Sequence, residues 1–340
     1  MQQRKRNQRV TVIIGVVMLV AIVSSGIVPL LNPTNQTAPV VQPTATAAPT
    51  VIPAITDFSG ISFDQIFLHP TGLFTIAEPT GWIPGQPITN SDRAQIAMTN
   101  PEIFSVVEAY VEQPAAPVAS PDDLNAMFTE ESLASSWSRY SSWEESGRRV
   151  EGDRLEMDFT LALRGQTYIA RQESWTDGNW VYSVRVIAPE NQTTLLLYLL
   201  DNLAASLQPN EEFMGSPLAW TAYFDPDNKH MIRFPASWLL TDSAPGRPAS
   251  ISATDDVAVG DVALRVESEE ETVASEDAAR AYVEGERADT TILSVEPLER
   301  GSADGYSVAY SFRTVDGEAQ SGLAVLLNGA DELLHIADLR

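Results

Sequence analysis

Cysteine is absent from the 340 residues. Disulfides, thiolate metal sites, cysteine nucleophiles and a lipid-modified cysteine anchor are thereby excluded. Histidine is almost as scarce. His69, His230 and His335 are scattered, and none has a second histidine at helical metal-site spacing, so no metal is expected. Basic side chains are few, 21 Lys and Arg against 46 Asp and Glu, a formal charge of −25. So acidic a chain does not suit a nucleic-acid backbone. Gly-x-Ser-x-Gly, Gly-x-Gly-x-x-Gly and phosphate-loop patterns are all missing, so serine hydrolysis and nucleotide binding have no signature. No cofactor and no catalytic residue are expected. Apolar material is not lacking. At 44% hydrophobic and 8% aromatic residues, wholesale disorder is excluded, and the length suits two domains plus accessories.

The N-terminus sets the expected compartment. Residues 1–9 carry Arg4, Lys5, Arg6 and Arg9 and no acid, and Val10–Leu31 follows without a charge. As a helix this run reaches about 33 Å, enough for a hydrocarbon core of about 30 Å. The basic flank belongs in the cytoplasm and the remainder outside, in a single-pass cell-membrane topology. The outer part holds 17 basic and 46 acidic side chains, a formal −29, and should stand off anionic headgroups. Val23-Ser24-Ser25 leaves a cleaved signal peptide as the rival reading. Residues 32–56 contain Pro33, Pro39, Pro43, Pro49 and Pro53, six threonines and no charge. They read as an extended spacer of at most about 75 Å. Asn35-Gln36-Thr37 is a glycosylation sequon, and such segments also accept O-linked sugars.

The remainder repeats itself. Phe74–Trp82 aligns with His230–Trp238 at a shift of 156 residues, and the same shift pairs Ala94–Val111 with Ser250–Glu267 without gaps. Ser120-Pro121-Asp122-Asp123 then matches Ser275-Glu276-Asp277-Ala278, each reading as an N-cap followed by first-turn acids. Strands are expected over 154–163, 168–175 and 180–187, and over 306–314 and 332–337, with Asp-Gly and Asn-Gly hairpin turns. Leu195, Leu196, Leu199, Leu203 and Leu207 put one apolar face on a helix over Glu190–Leu207, and the second copy has no counterpart. A period near 150 residues means tandem domains. The expected class is α+β: two tandem antiparallel-sheet domains with flanking helices, over 57–209 and 218–340. The second should leave part of a sheet face uncovered.

An apolar strand ending in Pro-x-x-Trp occurs twice, as Ile76, Pro79 and Trp82 and as Ile232, Pro235 and Trp238. These landmarks resemble the PsbP-like fold, which includes the extrinsic oxygen-evolving subunit of photosystem II and the Mog-type Ran-binding proteins. The resemblance spans about 63–209 and 218–340, with Gly81 of the first motif replaced by Ser237. It implies two tandem helix-flanked sheets and non-enzymatic binding or assembly, and it transfers no functional residue. Trp82 and Trp238 are expected to be buried equivalents.

Two acidic segments invite a cation reading. Asp225-Pro226-Asp227-Asn228-Lys229 lacks the glycine and glutamate of a calcium loop and reads as a turn. Glu267, Glu269, Glu270 and Glu271 read as a solvated loop, with a weak divalent site as the rival. Trp137, Tyr140, Trp143, Trp175 and Trp180 crowd one stretch of the first copy. They pack a core or present a platform to a protein or glycan partner, since aromatic rings bury large areas and stack on sugars. The expected function is a non-catalytic, membrane-tethered, extracytoplasmic binding or assembly module. The alternatives are a ligand-sensing ectodomain working through a partner and, last, a hydrolase without a recognisable motif.

Overall fold

A computed structural model describes residues 52–214, 217–227, 230–253 and 262–340. The basic flank, the expected membrane helix and the spacer up to residue 51 lie outside the described residues. Among those described, no helix is long and apolar enough to cross a membrane.

The first half runs β1 (Gln65–Leu68), β2 (Phe74–Glu78), β3 (Ile83–Pro84), β4 (Ile88–Thr89), β5 (Arg93–Asn100), β6 (Ser105–Glu112), α1 (Pro121–Met127), α2 (Glu130–Ser136), β7 (Ser142–Glu151), β8 (Arg154–Leu163), β9 (Gln166–Thr176), β10 (Val181–Pro189), α3 (Thr193–Ser206) and β11 (Gln208–Pro209). The second runs β12 (Trp220–Asp225), β13 (His230–Pro235), β14 (Leu239–Asp242), β15 (Ala249–Ala253), β16 (Val262–Glu269), α4 (Glu276–Glu286), β17 (Thr291–Arg300), β18 (Ala303–Arg313), β19 (Ala319–Asn328) and β20 (Leu334–Leu339). The fold is thus mostly antiparallel sheet with few helices.

The two large sheets share one strand order. The first is β3-β5-β6-β10-β9-β8-β7, with β4 also on β5; the second is β14-β15-β16-β20-β19-β18-β17. A two-stranded β12-β13 ribbon and a three-stranded β1-β2-β11 sheet complete them.

Pairing registers locate each face. In β10, Tyr182, Val184, Val186 and Ala188 point to one side and join Ile96, Met98 and Val107 under α3. The opposite side of β8 and β9 presents Leu155, Met157, Phe159, Leu161 and Ala170 to α1 and α2. The helices therefore cover opposite faces of one sheet, α3 over β10 and β9 and α1 over β9 and β8. α3 buries Leu195, Leu196, Leu199, Leu200 and Leu203, each contributing about 1.5–3 kcal/mol. It follows a 3-10 turn at Glu190–Gln192, so the expected helix over 190–207 begins with a tighter turn. The helix starts are as expected: Ser120 accepts from Asp123 N and Ser275 from Ala278 N, both at 3.2 Å, each satisfying an orphan amide.

Four features differ from the sequence reading. The 156-residue shift holds through the Pro-x-x-Trp turn, where Trp82 N bonds Pro79 O and Trp238 N bonds Pro235 O. Beyond it a shift of 155 matches the buried positions. Ala94 and Ile96 face the core of the first sheet, and Ala249 and Ile251 that of the second. A shift of 156 would pair Ile96 with Ser252 and turn every side chain to the wrong face. Second, β7 and β17 were missed. Both are sheet-edge strands, and the half-exposed pattern of β7 and Pro297 in β17 hide them. Third, the acidic run is not all loop: Glu267 and Glu269 belong to β16, Glu267 is buried and accepts from Arg265 at 2.5 Å, and Glu269 accepts from Tyr282. Fourth, the last residues of the expected spacer are docked. Ile52 and Pro53 carbonyls accept from Asn191 and Gln192, and Ile55 N donates to Gln192.

In the second half the β12-β13 ribbon lies where the first half has α3 and β2. Tyr223 and Phe234 pack on Ala249, Ile251, Leu264 and Val266, with Trp238 half-buried beside them. Away from the ribbon, Leu323 is 41% exposed on β19.

Candidate functional site

The α1-α2 side of the first sheet is covered by helices only over β7, β8 and β9. Beside and beneath these helices a polar row crosses β6, β10 and β9, in an order that the strand register fixes. Glu108 on β6 and Gln172 on β9 both pair with Arg185 on β10. Arg185 donates to Gln172 Oε1 from Nε at 2.9 Å and from Nη2 at 2.5 Å, and to Glu108 Oε2 from Nη1 at 3.2 Å. Gln172 Nε2 passes the chain to Ser174 Oγ, which lies 2.8 Å from Ser183 Oγ. Glu108 and Arg185 are only 5% and 4% exposed. Ions so buried repay their desolvation only when their hydrogen bonds are complete, and each has at least two.

Trp137, fully buried at the end of α2, lies 4.2 Å beneath the Arg185 guanidinium, with Phe159 against its other side. Its Nε1 has no hydrogen-bond partner, so it works as apolar mass and cation–π face rather than as a donor. From this floor the row opens outwards. Arg139 donates to Glu108 Oε1 at 2.7 Å and stacks over Tyr140 at 5.2 Å. Arg93 bonds Glu112 and lies 4.6 Å over Tyr110. Burial pulls both guanidiniums towards lower pKa, but the Glu108 and Glu112 carboxylates outweigh it and hold them above the ordinary value. Burial is also the main cause that pushes the Tyr140 phenol up. Arg139, Tyr140 and Arg93 remain partly exposed. The patch thus offers rigid aromatic rims and fixed cations over a closed ionic floor.

The five sequence-selected aromatics do not form one platform. Trp137, Tyr140 and Trp143 share the α1-α2 core. Trp175 and Trp180 belong to the opposite face with α3, where Trp175 stacks on Tyr182 and beneath Arg154. Of the motif residues, Trp82 is 3% exposed and Trp238 half-buried; Pro79 is buried and Pro235 partly so. Glu108, Arg185, Gln172 and Arg139 were not singled out in the sequence. A charged residue at an inward position of a strand, as Glu108 is within Ser105–Glu112, was the available signal.

The second half carries its own cluster at the matching place. The 155 shift sets Arg340 where Arg185 lies, and Arg265 where Tyr110 lies; Arg340 bonds Ala263 through both backbone groups. Here Asp338 collects Tyr310, Arg287 and Arg340 at 2.5, 2.8 and 3.0 Å. A cavity of about 30 Å³ opens beside it, between Arg265, Tyr282, Arg287 and Asp338, room for a water or two. Among the described residues no group of three or more acids and histidines is placed to hold a metal ion.

Architecture defines the class: an α+β protein of helix-flanked antiparallel sheets. No family model matches the chain, and no curated protein matches it. Solved structures with some likeness include the cyanobacterial PsbP of Synechocystis, at 11% identity over 49% of this chain and 99% of that one, with a TM-score of 0.33. A crystal structure from Bacteroides thetaiotaomicron aligns at 11% identity over 44% of this chain, with a TM-score of 0.30; the match spans about half, 49%, of that protein.

Proposed function

We propose that this chain is a non-catalytic binding or assembly module, held at the cell membrane by residues 10–31, with its two sheet units outside the cytoplasm. The two units are tandem PsbP-like copies in this reading, and the first carries the binding surface. One observation supports it above all: the buried Glu108–Arg185 network beside α2 is rimmed by the partly exposed Arg139, Tyr140 and Arg93. Such a surface is preorganised, so a partner loses little side-chain entropy in meeting it, and tyrosine and arginine carry interface energy disproportionately. The occupant is a protein or glycan at the cell surface.

A photo-crosslinking side chain at position 140, in intact membranes, should yield a discrete adduct. The same group at position 315, where Val315 is fully exposed on a turn, should not. Equal labelling from both positions, or none from 140, would remove the patch from the proposal.

A further inference from the structure

His230 and His335 are 105 residues apart in the chain, yet their rings meet edge to face with centroids 5.7 Å apart. Ser268 bridges them, its Oγ 3.2 Å from His230 Nδ1 and 2.9 Å from His335 Nδ1. His335 Nε2 lies 3.2 Å from Asp331 Oδ1. The four groups come from β13, β16, β20 and the turn before β20.

Proton bookkeeping gives the chain a direction. The Asp331 carboxylate only accepts, so His335 carries its proton on Nε2. Its bare Nδ1 then accepts the Ser268 hydroxyl proton. Ser268 Oγ in turn accepts from His230 Nδ1–H. His230 Nε2 is left bare, and it is buried without a hydrogen-bond partner. This arrangement needs a bare Nδ1 on His335, while a proton on His230 Nε2 would keep every bond but set a cation in a buried site without an acceptor. A proton added at His335 Nδ1 removes the acceptor that Ser268 uses, and sets a cation against the neighbouring ring.

The β12-β13 ribbon is held at both ends and across its middle. At one end its backbone is tied to the first half, where Ala222 N bonds Pro70 O at 2.7 Å and Arg233 donates to the carbonyls of Phe213 and Pro217. Across its middle it is held by apolar packing of Tyr223 and Phe234. At the His230 end Asp225 accepts from Gly246 N before β15, and the polar tie to β16 and β20 is the Ser268 bridge. We propose that His230, Ser268 and His335 form an acid-released latch that fastens the β12-β13 ribbon to the second sheet.

Every group facing His230 enters the sign. Burial pushes its pKa down most strongly; Asp225 on β12 and Asp331 oppose this, and His335 adds to it, leaving the net direction downward. Tyr223, 6.1 Å away on β12, and Ser268 are neutral neighbours. A histidine depressed in the folded state stabilises above the ordinary histidine range. That contribution is lost as pH falls through and below it.

The test is hydrogen–deuterium exchange on the full chain in detergent micelles, at about pH 7.5 and about pH 5.5, corrected for intrinsic rates. Amides of β12 and β13 should lose protection several-fold at the lower pH relative to β6 and β10. In His335→Gln that acid-dependent loss should shrink to the part that His230 alone carries. Should this variant not fold, Ser268→Ala takes its place: faster ribbon exchange already at neutral pH, with a smaller acid increment, is expected. Ribbon protection indifferent to pH in the native chain overturns the latch. So does an acid increment of native size in either variant.

Discussion

Removing the carboxylate from the Glu108–Arg185 pair while keeping its surroundings is a direct trial of the buried network. In Glu108→Ala, Arg185 keeps Gln172 and the Trp137 face but loses its countercharge at 4% exposure. Arg139 loses its partner too, but with its side chain 49% exposed water replaces that bond cheaply. The cost should therefore be that of breaking one buried pair, about 3–5 kcal/mol. Combining Glu108→Ala with Arg185→Met removes both charges and leaves an apolar stem over Trp137. Gln172 then has an unmet acceptor but stays bonded to Ser174. The double variant should recover most of the loss, because the penalty lies in the stranded charge and not in the missing attraction. Urea unfolding, followed by near-ultraviolet circular dichroism from the tryptophans, would give both values from midpoints at constant slope. A single variant costing under about 1 kcal/mol, or a double variant as unstable as the single, would refute the reasoning.

Three further outcomes are expected. Trp82→Ala should cost about 3–5 kcal/mol and Trp238→Ala about half as much, since Trp238 keeps part of its surface in water; equal thermal shifts would contradict the burial difference. Gly285→Ala, in a helix with nothing near the added carbon, should stabilise by about 0.5–1 kcal/mol. Gly305→Ala, whose added carbon would lie 1.9 Å from the Leu326 carbonyl oxygen, should destabilise by about 1–3 kcal/mol; calorimetry of the pair would show opposite signs. Protease added to intact spheroplasts should digest the sheet units, and protection until lysis would overturn the extracytoplasmic placement.

The legible parts of the fold were those where one physical signal dominated. Alternation marked β8, turn chemistry marked the hairpins, and leucine spacing marked α3. Edge strands gave no such signal, because β7 meets water on much of its surface and alternates only weakly. The shared strand order of the two large sheets was partly legible, but the register between them was not. Beyond the Pro-x-x-Trp turn a shift of 155 instead of 156 inverts which side chains match, and only burial reveals it. The candidate site was the least legible. Trp137 stood out by type, whereas Glu108, Gln172 and Arg185 are ordinary residues scattered over three strands. Sheet order alone makes them neighbours. The two histidines meet for the same reason, through β16 and β20.

The position of β10 has a consequence for how the chain folds. It is the last strand of its sheet to be made, yet it lies between β6 and β9, and β20 lies likewise between β16 and β19. Until β10 arrives, the sheet exists as two separate pieces, the β5-β6 hairpin and the β7-β8-β9 meander, each with an open hydrogen-bonding edge. Joining them closes the longest loops in the sheet in a single event, which places the entropic barrier late. A chain emerging N-terminus first would thus hold exposed strand edges until each unit was almost complete. Edges of that kind are where unfolded neighbours pair wrongly, so the most aggregation-sensitive interval in this protein's life falls before β10, and again before β20, locks into place.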